Sequence, residues 1–171
     1  NYPKERIRFI VSDCQPAMLI SQGDFCNELK LKLSQPNEFS PVILDLNREQ
    51  AFVTQQSNEN LTAKAAPDEV LYIVYTSGST GEPKGVLIEQ RGVINMAYAQ
   101  IDELGIHSQD HILQFARFTF DAFFWETLGA WLAGAQLCLI SKEIKLIGND
   151  LVRALKTASI SIATLTPSVV E

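Results

Sequence analysis

The run Val70-Leu71-Tyr72-Ile73-Val74-Tyr75 passes directly into Thr76-Ser77-Gly78-Ser79-Thr80-Gly81-Glu82-Pro83-Lys84-Gly85. The first six residues are the strongest strand signal in the chain. The loop after them holds three glycines, which let the backbone turn tightly and approach a ligand because no Cβ intervenes. Hydroxyls from Thr76, Ser77, Ser79 and Thr80 and several backbone N–H groups can converge on an anion, and Lys84 adds a mobile positive charge. These are the properties of a loop that holds polyphosphate at a strand end. A Walker A loop is excluded, because Pro83 stands where its second glycine would be. Gly85 likewise replaces the hydroxyl residue that would hold Mg²⁺.

Outward from this loop, strand and helix patterns alternate. On the C-terminal side, Gly85 to Glu89 reads as a strand. Val93, Ile94, Ala97, Ile101 and Leu104 then fall at helical spacing, with Gly105 as the stop. Ile112 to Phe115 predicts a short strand, Ala122 to Ala133 an apolar helix capped by Asp121, and Gln136 to Ile140 a further strand. Asn149 is the expected cap of another helix, and Ser161 to Leu165 reads as a strand ended by Pro167. On the N-terminal side, Lys4 onward predicts a short helix with Pro3 in its first turn. Buried strands at 17–21 and 41–46 flank a helix over Phe25 to Leu33, which suggests a βαβ unit. Arg48 to Asp68 is polar and reads as an irregular surface connection. The expected fold class is α/β, a layered and mainly parallel β-sheet with flanking helices.

Composition narrows the function classes. With 171 residues, 46% hydrophobic and 20% charged, the chain suits one domain or part of one and is not wholly disordered. Lys+Arg 14 against Asp+Glu 20 gives a net charge of −6, which argues against a general nucleic-acid binder. No apolar run nears the roughly 18 residues that would suggest a membrane span, and no signal-peptide core follows the N-terminus. Cys14, Cys26 and Cys138 are widely spaced and form no CxxC pair, so reduced thiols in a cytoplasmic protein are expected. The lack of an initiator Met predicts a start inside a longer product.

The stretch Tyr75 to Gly85 resembles, nearly letter for letter, the phosphate-binding signature of adenylate-forming (AMP-binding) enzymes. Two more stretches resemble segments of the adenylation domains of nonribosomal peptide synthetases. Asn1-Tyr2-Pro3-Lys4-Glu5-Arg6-Ile7 is similar to their "YPxERI" segment, and Phe118 to Glu126 to their "FxFDxxxWE" segment. Thr164-Leu165-Thr166-Pro167-Ser168 also fits. The resemblance covers all 171 residues in order, but only part of the N-terminal portion of a complete domain. It divides the chain into a first α/β segment with its polar connection, 1–68, and a phosphate-loop and substrate-pocket segment, 69–171. The family's later "YGPTE" motif, its ribose-binding aspartate and its C-terminal catalytic lysine fall outside the chain. Gln90-Arg91 departs from the family's His-Arg or His-Lys pair, and no role is transferred to Gln90.

The resemblance implies ATP-dependent activation of an amino acid as its adenylate, with Mg²⁺ and release of pyrophosphate. Transfer to phosphopantetheine on a peptidyl carrier domain would follow, with condensation domains as further partners. Thr76, Ser77, Gly78, Ser79, Thr80, Gly81 and Lys84 would cradle the β- and γ-phosphates, Lys84 serving catalysis. Without the motif, Lys84 would read as a solvated loop lysine. Asp121 would pair with the substrate's α-ammonium, its ordinary role being an N-cap. A half-buried carboxylate beside Phe118, Phe120 and Phe124 would be costly without such a cation. Ala122 and Trp125 would line the side-chain pocket, against an ordinary role in helix packing. His107 and His111 read as surface residues. Two alternatives stay open: an acyl- or aryl-acid ligase of the same superfamily, and a noncatalytic nucleotide-binding fragment.

Overall fold

The structure is a computed structural model that describes residues 3–33, 39–62, 65–77, 82–141 and 147–170. The chain forms two compact units, Asn1–Lys64 and Ala65–Glu171.

In the first unit, helix α1 (Lys4–Cys14) precedes strand β1 (Met18–Ser21), helix α2 (Asp24–Leu33) and strand β2 (Val42–Asp45). β1 and β2 pair in parallel from Met18 opposite Val42 to Ser21 opposite Asp45, so the expected βαβ unit is present. Val11, Cys26 and Leu33 form its small core. The two strands are only half covered, with Met18, Ile20 and Val42 exposed, so the expectation of buried strands is corrected. The polar connection also contains a short helix, α3 (Gln50–Thr54), that its composition concealed.

The second unit starts with strands β3 (Val70–Ser77) and β4 (Pro83–Glu89), which pair antiparallel on either side of the glycine-rich loop. The described strands form three two-stranded sheets, two parallel and this hairpin antiparallel, because a connection this short can only return the chain antiparallel. Helix α4 (Gln90–Leu104) follows at once and ends on Gly105 at φ 62°, the left-handed geometry expected of that glycine. The N–H groups of Gln90 and Arg91 donate to the carbonyls of Glu69 and Pro67, which fixes the start of α4 beside the entry to β3.

Strand β5 (His111–Leu113), helix α5 (Ala122–Ala133) and strand β6 (Gln136–Cys138) make a second parallel βαβ unit. Helix α6 (Gly148–Thr157) then returns the chain so that Ile162 bridges in parallel to Ile112 on the other side of β5. The strand expected over 161–165 is reduced to this bridge, and Pro167 opens a short helical turn, α7 (Pro167–Val170). Asn149 does not cap α6, since Ile147 occupies the N-cap position without a side-chain bond. The core of the unit is Val93 and Ala97 of α4, Ile112 and Leu113 of β5, Ala130 of α5, Cys138 of β6, and Leu151 and Ala154 of α6. Cys14, Cys26 and Cys138 are all free thiols. Among the described residues no helix is long and apolar enough to cross a membrane.

Candidate functional site

The hairpin places the two ends of the candidate phosphate loop side by side. Thr76 stands opposite Lys84 and Ser77 opposite Pro83, and Thr76, Ser77 and Lys84 are all exposed. Gly78, Ser79, Thr80 and Gly81 lie outside the described residues. Gly85 serves close approach, not an unusual φ. It faces Tyr75 across the ladder, and a Cβ there would lie 3.2 Å from Cγ2 of Ile73 and 3.2 Å from Cζ of Tyr75. Hydroxyls and a lysine at the open end of a tight hairpin are the donors a polyanion needs.

Asp121 sits at the N-cap of α5, as its position before an apolar run predicts. Its Oδ1 accepts the N–H of Ala122 at 2.9 Å. An N-cap ordinarily reaches one or two residues further into the helix, so this bond holds only the near end of the carboxylate. Among the described residues, Oδ2 accepts no hydrogen bond. Asp121 is exposed, with Phe118 78% and Phe120 59% exposed beside it in sequence, so the expected half-burial of this carboxylate is corrected. An exposed carboxylate carries no desolvation cost that a cation would have to offset. Ala122 and Trp125 lie in the first turn and a half of the same helix, both partly covered. The indole N–H of Trp125 is buried without an acceptor among the described residues.

Two rings join these halves. Tyr72 of β3 stacks on Phe124 of α5 with centroids 3.7 Å apart and planes 4° from parallel. Phe123 meets Phe124 edge-on at 5.5 Å. Burial, and secondly the charge of Asp121, make the Tyr72 phenol harder to ionise than usual.

Glu126 is the structural residue whose importance the residue-by-residue reading missed. It is 2% exposed, and its Oε2 accepts the N–H groups of Phe115 and Ala116, each at 3.0 Å. The Gln114 side chain donates to the carbonyl of Ala116 in the same knot. Burial pushes the Glu126 carboxyl up, and these donors only partly offset it. The signal was present: Glu126 is the one carboxylate inside the apolar run Ala122 to Ala133, and such a group requires donors.

Asp110 anchors the other end of β5. Its Oδ1 accepts the Ser161 hydroxyl at 2.7 Å, and its Oδ2 meets the His107 N–H and ring Nδ1, each at 2.9 Å. The His107 N–H first, then the Ser161 hydroxyl, hold the Asp110 carboxyl below its ordinary range. Asp, His and Ser thus meet in the wrong order for a nucleophilic triad, since the Asp stands between the other two. His107 is exposed, as expected. His111 is not merely a surface residue, because its Nδ1 is 3.1 Å from the Ala158 carbonyl.

Residues 1–171 match the family described as AMP-binding enzyme over their whole length. The chain is 36% identical over 171 residues to gramicidin S synthase 2 of Brevibacillus brevis, across 99% of the chain. It is 34% identical over 170 residues to bacitracin synthase 3 of Bacillus licheniformis, again across 99%. It spans only 4% and 3% of the lengths of these two relatives. Among solved structures, it superposes on a four-domain nonribosomal peptide synthetase bound to AMP and glycine with TM-score 0.72 and 26% identity, over 99% of this chain and 12% of that one. It also shares its fold with the N-terminal domain of FACL13 from Mycobacterium tuberculosis, at TM-score 0.84 and 17% identity, over 98% of this chain and 42% of that one. The chain belongs to the AMP-binding, adenylate-forming enzyme family, and within it to the adenylation domains of nonribosomal peptide synthetases.

Proposed function

We propose that residues 1–171 are part of the large N-terminal portion of an amino-acid adenylation domain. Within it, 1–68 would be a first α/β segment and 69–171 the phosphate-loop and substrate-pocket segment. The complete protein would join an amino-acid carboxylate to ATP and release pyrophosphate. The carboxylate oxygen attacks the α-phosphorus, the bond to the β-phosphate oxygen breaks, and negative charge builds on the leaving pyrophosphate. Work of this kind is positioning and charge stabilisation. Lys84 and the hydroxyls of Thr76 and Ser77, with Gly78, Ser79, Thr80 and Gly81 of the loop, would hold the β- and γ-phosphates. Asp121 would receive the α-ammonium on its free oxygen, while Ala122 and Trp125 would line the side-chain pocket.

The observation that carries this reading is the register that sets Lys84 opposite Thr76 at the mouth of the loop. Among the described residues no cluster of three or more His, Cys, Asp or Glu could hold a metal. The Mg²⁺ of the reaction would be carried on the nucleotide phosphates. The adenylate would pass to phosphopantetheine on a peptidyl carrier domain beside condensation domains, in the cytoplasm where ATP is supplied.

The test is amino-acid-dependent ATP–pyrophosphate exchange by the full-length gene product containing residues 1–171, with all twenty amino acids and their des-amino analogues. Exchange with one or a few amino acids supports the reading. Exchange with des-amino acids alone would make the protein an acyl- or aryl-acid ligase, and silence throughout would make it a noncatalytic nucleotide binder.

A further inference from the structure

Resting on that reading, we propose that Tyr72 and Phe124 are positioning residues: a ring-on-ring brace that sets the first turn of α5, and with it Asp121, against the strand entering the phosphate loop. Tyr72 and Thr76 are four residues apart on β3, so the two-residue period of a strand puts them on one face. Asp121 and Phe124 are three apart at the start of α5, which places them on one face of that helix. A single contact between Tyr72 and Phe124 therefore ties a residue on the phosphate face to one on the ammonium face. The rings are nearly parallel at 3.7 Å, and the edge of Phe123 packs on Phe124. Free aromatic pairs prefer offset or edge-on geometry, so a near face-to-face stack is one that the surrounding elements hold in place.

The brace fits the chemistry of joining two substrates. The amino-acid carboxylate must be held at the α-phosphorus, and small misplacements of the reacting atoms are costly in rate. The proposed phosphate donors lie on β3 and β4 and the proposed ammonium acceptor at the start of α5, so they stand on separate elements. Helix α4 follows β4 and packs on α5, and the aromatic stack adds a direct link from β3 to α5 without a charge that would compete with either substrate.

The experiment compares wild type, Tyr72→Leu, Phe124→Leu, the double variant and Tyr72→Phe in the full-length gene product, by exchange kinetics and melting temperature. Each Leu variant is expected to lower kcat/KM for the amino acid up to about tenfold, the upper worth of an aromatic pair. KM for ATP should move less than about twofold. The double variant should lose no more than the worse single one, since both break the same contact. Tyr72→Phe, which keeps the ring, should stay near wild type. If a Leu variant does not fold, Phe124→Met keeps the bulk without a ring face and carries the same expectation. Leu variants that melt lower yet keep wild-type amino-acid kinetics would reduce the stack to ordinary packing, and multiplying losses in the double variant would show two independent residues. A wild type silent with every amino acid would instead overturn the adenylation reading, and the brace with it.

Discussion

In the β3–β4 hairpin Thr76 and Lys84 stand directly opposite each other across the ladder, and both residues are exposed. In the β5–α5–β6 unit the decisive bonds span the chain: Asp110 takes the Ser161 hydroxyl from 51 residues away, and Glu126 reaches back to Phe115 and Ala116. The hairpin leaves Thr76, Ser77 and Lys84 exposed, whereas Asp110 and Glu126 accept donors of the fold itself. Asp121 lies beside Glu126 on the chain yet is exposed like the hairpin pair, and among the described residues only its Oδ1 accepts a hydrogen bond. Two carboxylates five residues apart are thus used differently: Glu126 takes two backbone N–H groups, and Asp121 takes that of Ala122 alone among the described residues.

The sharpest way to break this contrast is Lys84→Ala. An exposed hairpin lysine carries little of the fold, so circular dichroism and melting should be unchanged. Exchange should fall by about 10²–10³, the loss typical of removing one donor to developing negative charge. Unchanged exchange would remove the loop from the mechanism. Asp121→Asn comes next, since Asn caps a helix as well as Asp and removes only the charge. The amino-acid KM should rise by about tenfold or more, the worth of a hydrogen bond to a charged group, with KM for ATP steady. An equal rise in both would count against the ammonium role.

Glu126→Ala tests the frame. It strands two buried N–H groups, and stability should fall by about 1–3 kcal/mol on chemical denaturation, in contrast with Lys84→Ala. Gly85→Ala tests the hairpin's own packing: the added methyl meets Ile73 and the Tyr75 ring, and about 1 kcal/mol or more should be lost. A substitution Tyr75→Ala made with it should recover part of that loss. The smallest effect is in pH. Because the folded pKa of Glu126 is raised from 4.5, its contribution to stability is present below that value and lost as pH climbs through the raised one. Melting curves of wild type and Glu126→Gln should therefore diverge above about pH 4.5, with the wild type declining more steeply.

Much of the fold was legible because its signals are local. The helix at Ala122–Ala133 between Asp121 and Gly134, the stop at Gly105 and the first βαβ unit all follow from caps and periodicity. The misses have one physical source. A strand's burial depends on what lies over it, so Met18, Ile20 and Val42 read as core and are exposed. The strand at 161–165 needed a longer partner and became a bridge. Asn149 has the chemistry of a cap, yet α6 starts before it, at Gly148.

By itself the sequence marked the candidates for phosphate and ammonium, because charge, hydroxyls and glycine are properties of single residues and short loops. It also determined the family, since an ordered string of motifs survives in a linear chain. Only the tertiary structure decided which carboxylates the fold takes up. That choice turns on donors at 107, 115, 116 and 161, and distance along the chain does not reveal which of them a folded backbone brings within 3 Å. The same holds for the stack of Tyr72 on Phe124, where two rings 52 residues apart become neighbours in a unit whose α5 packs on α4, the helix that follows the hairpin.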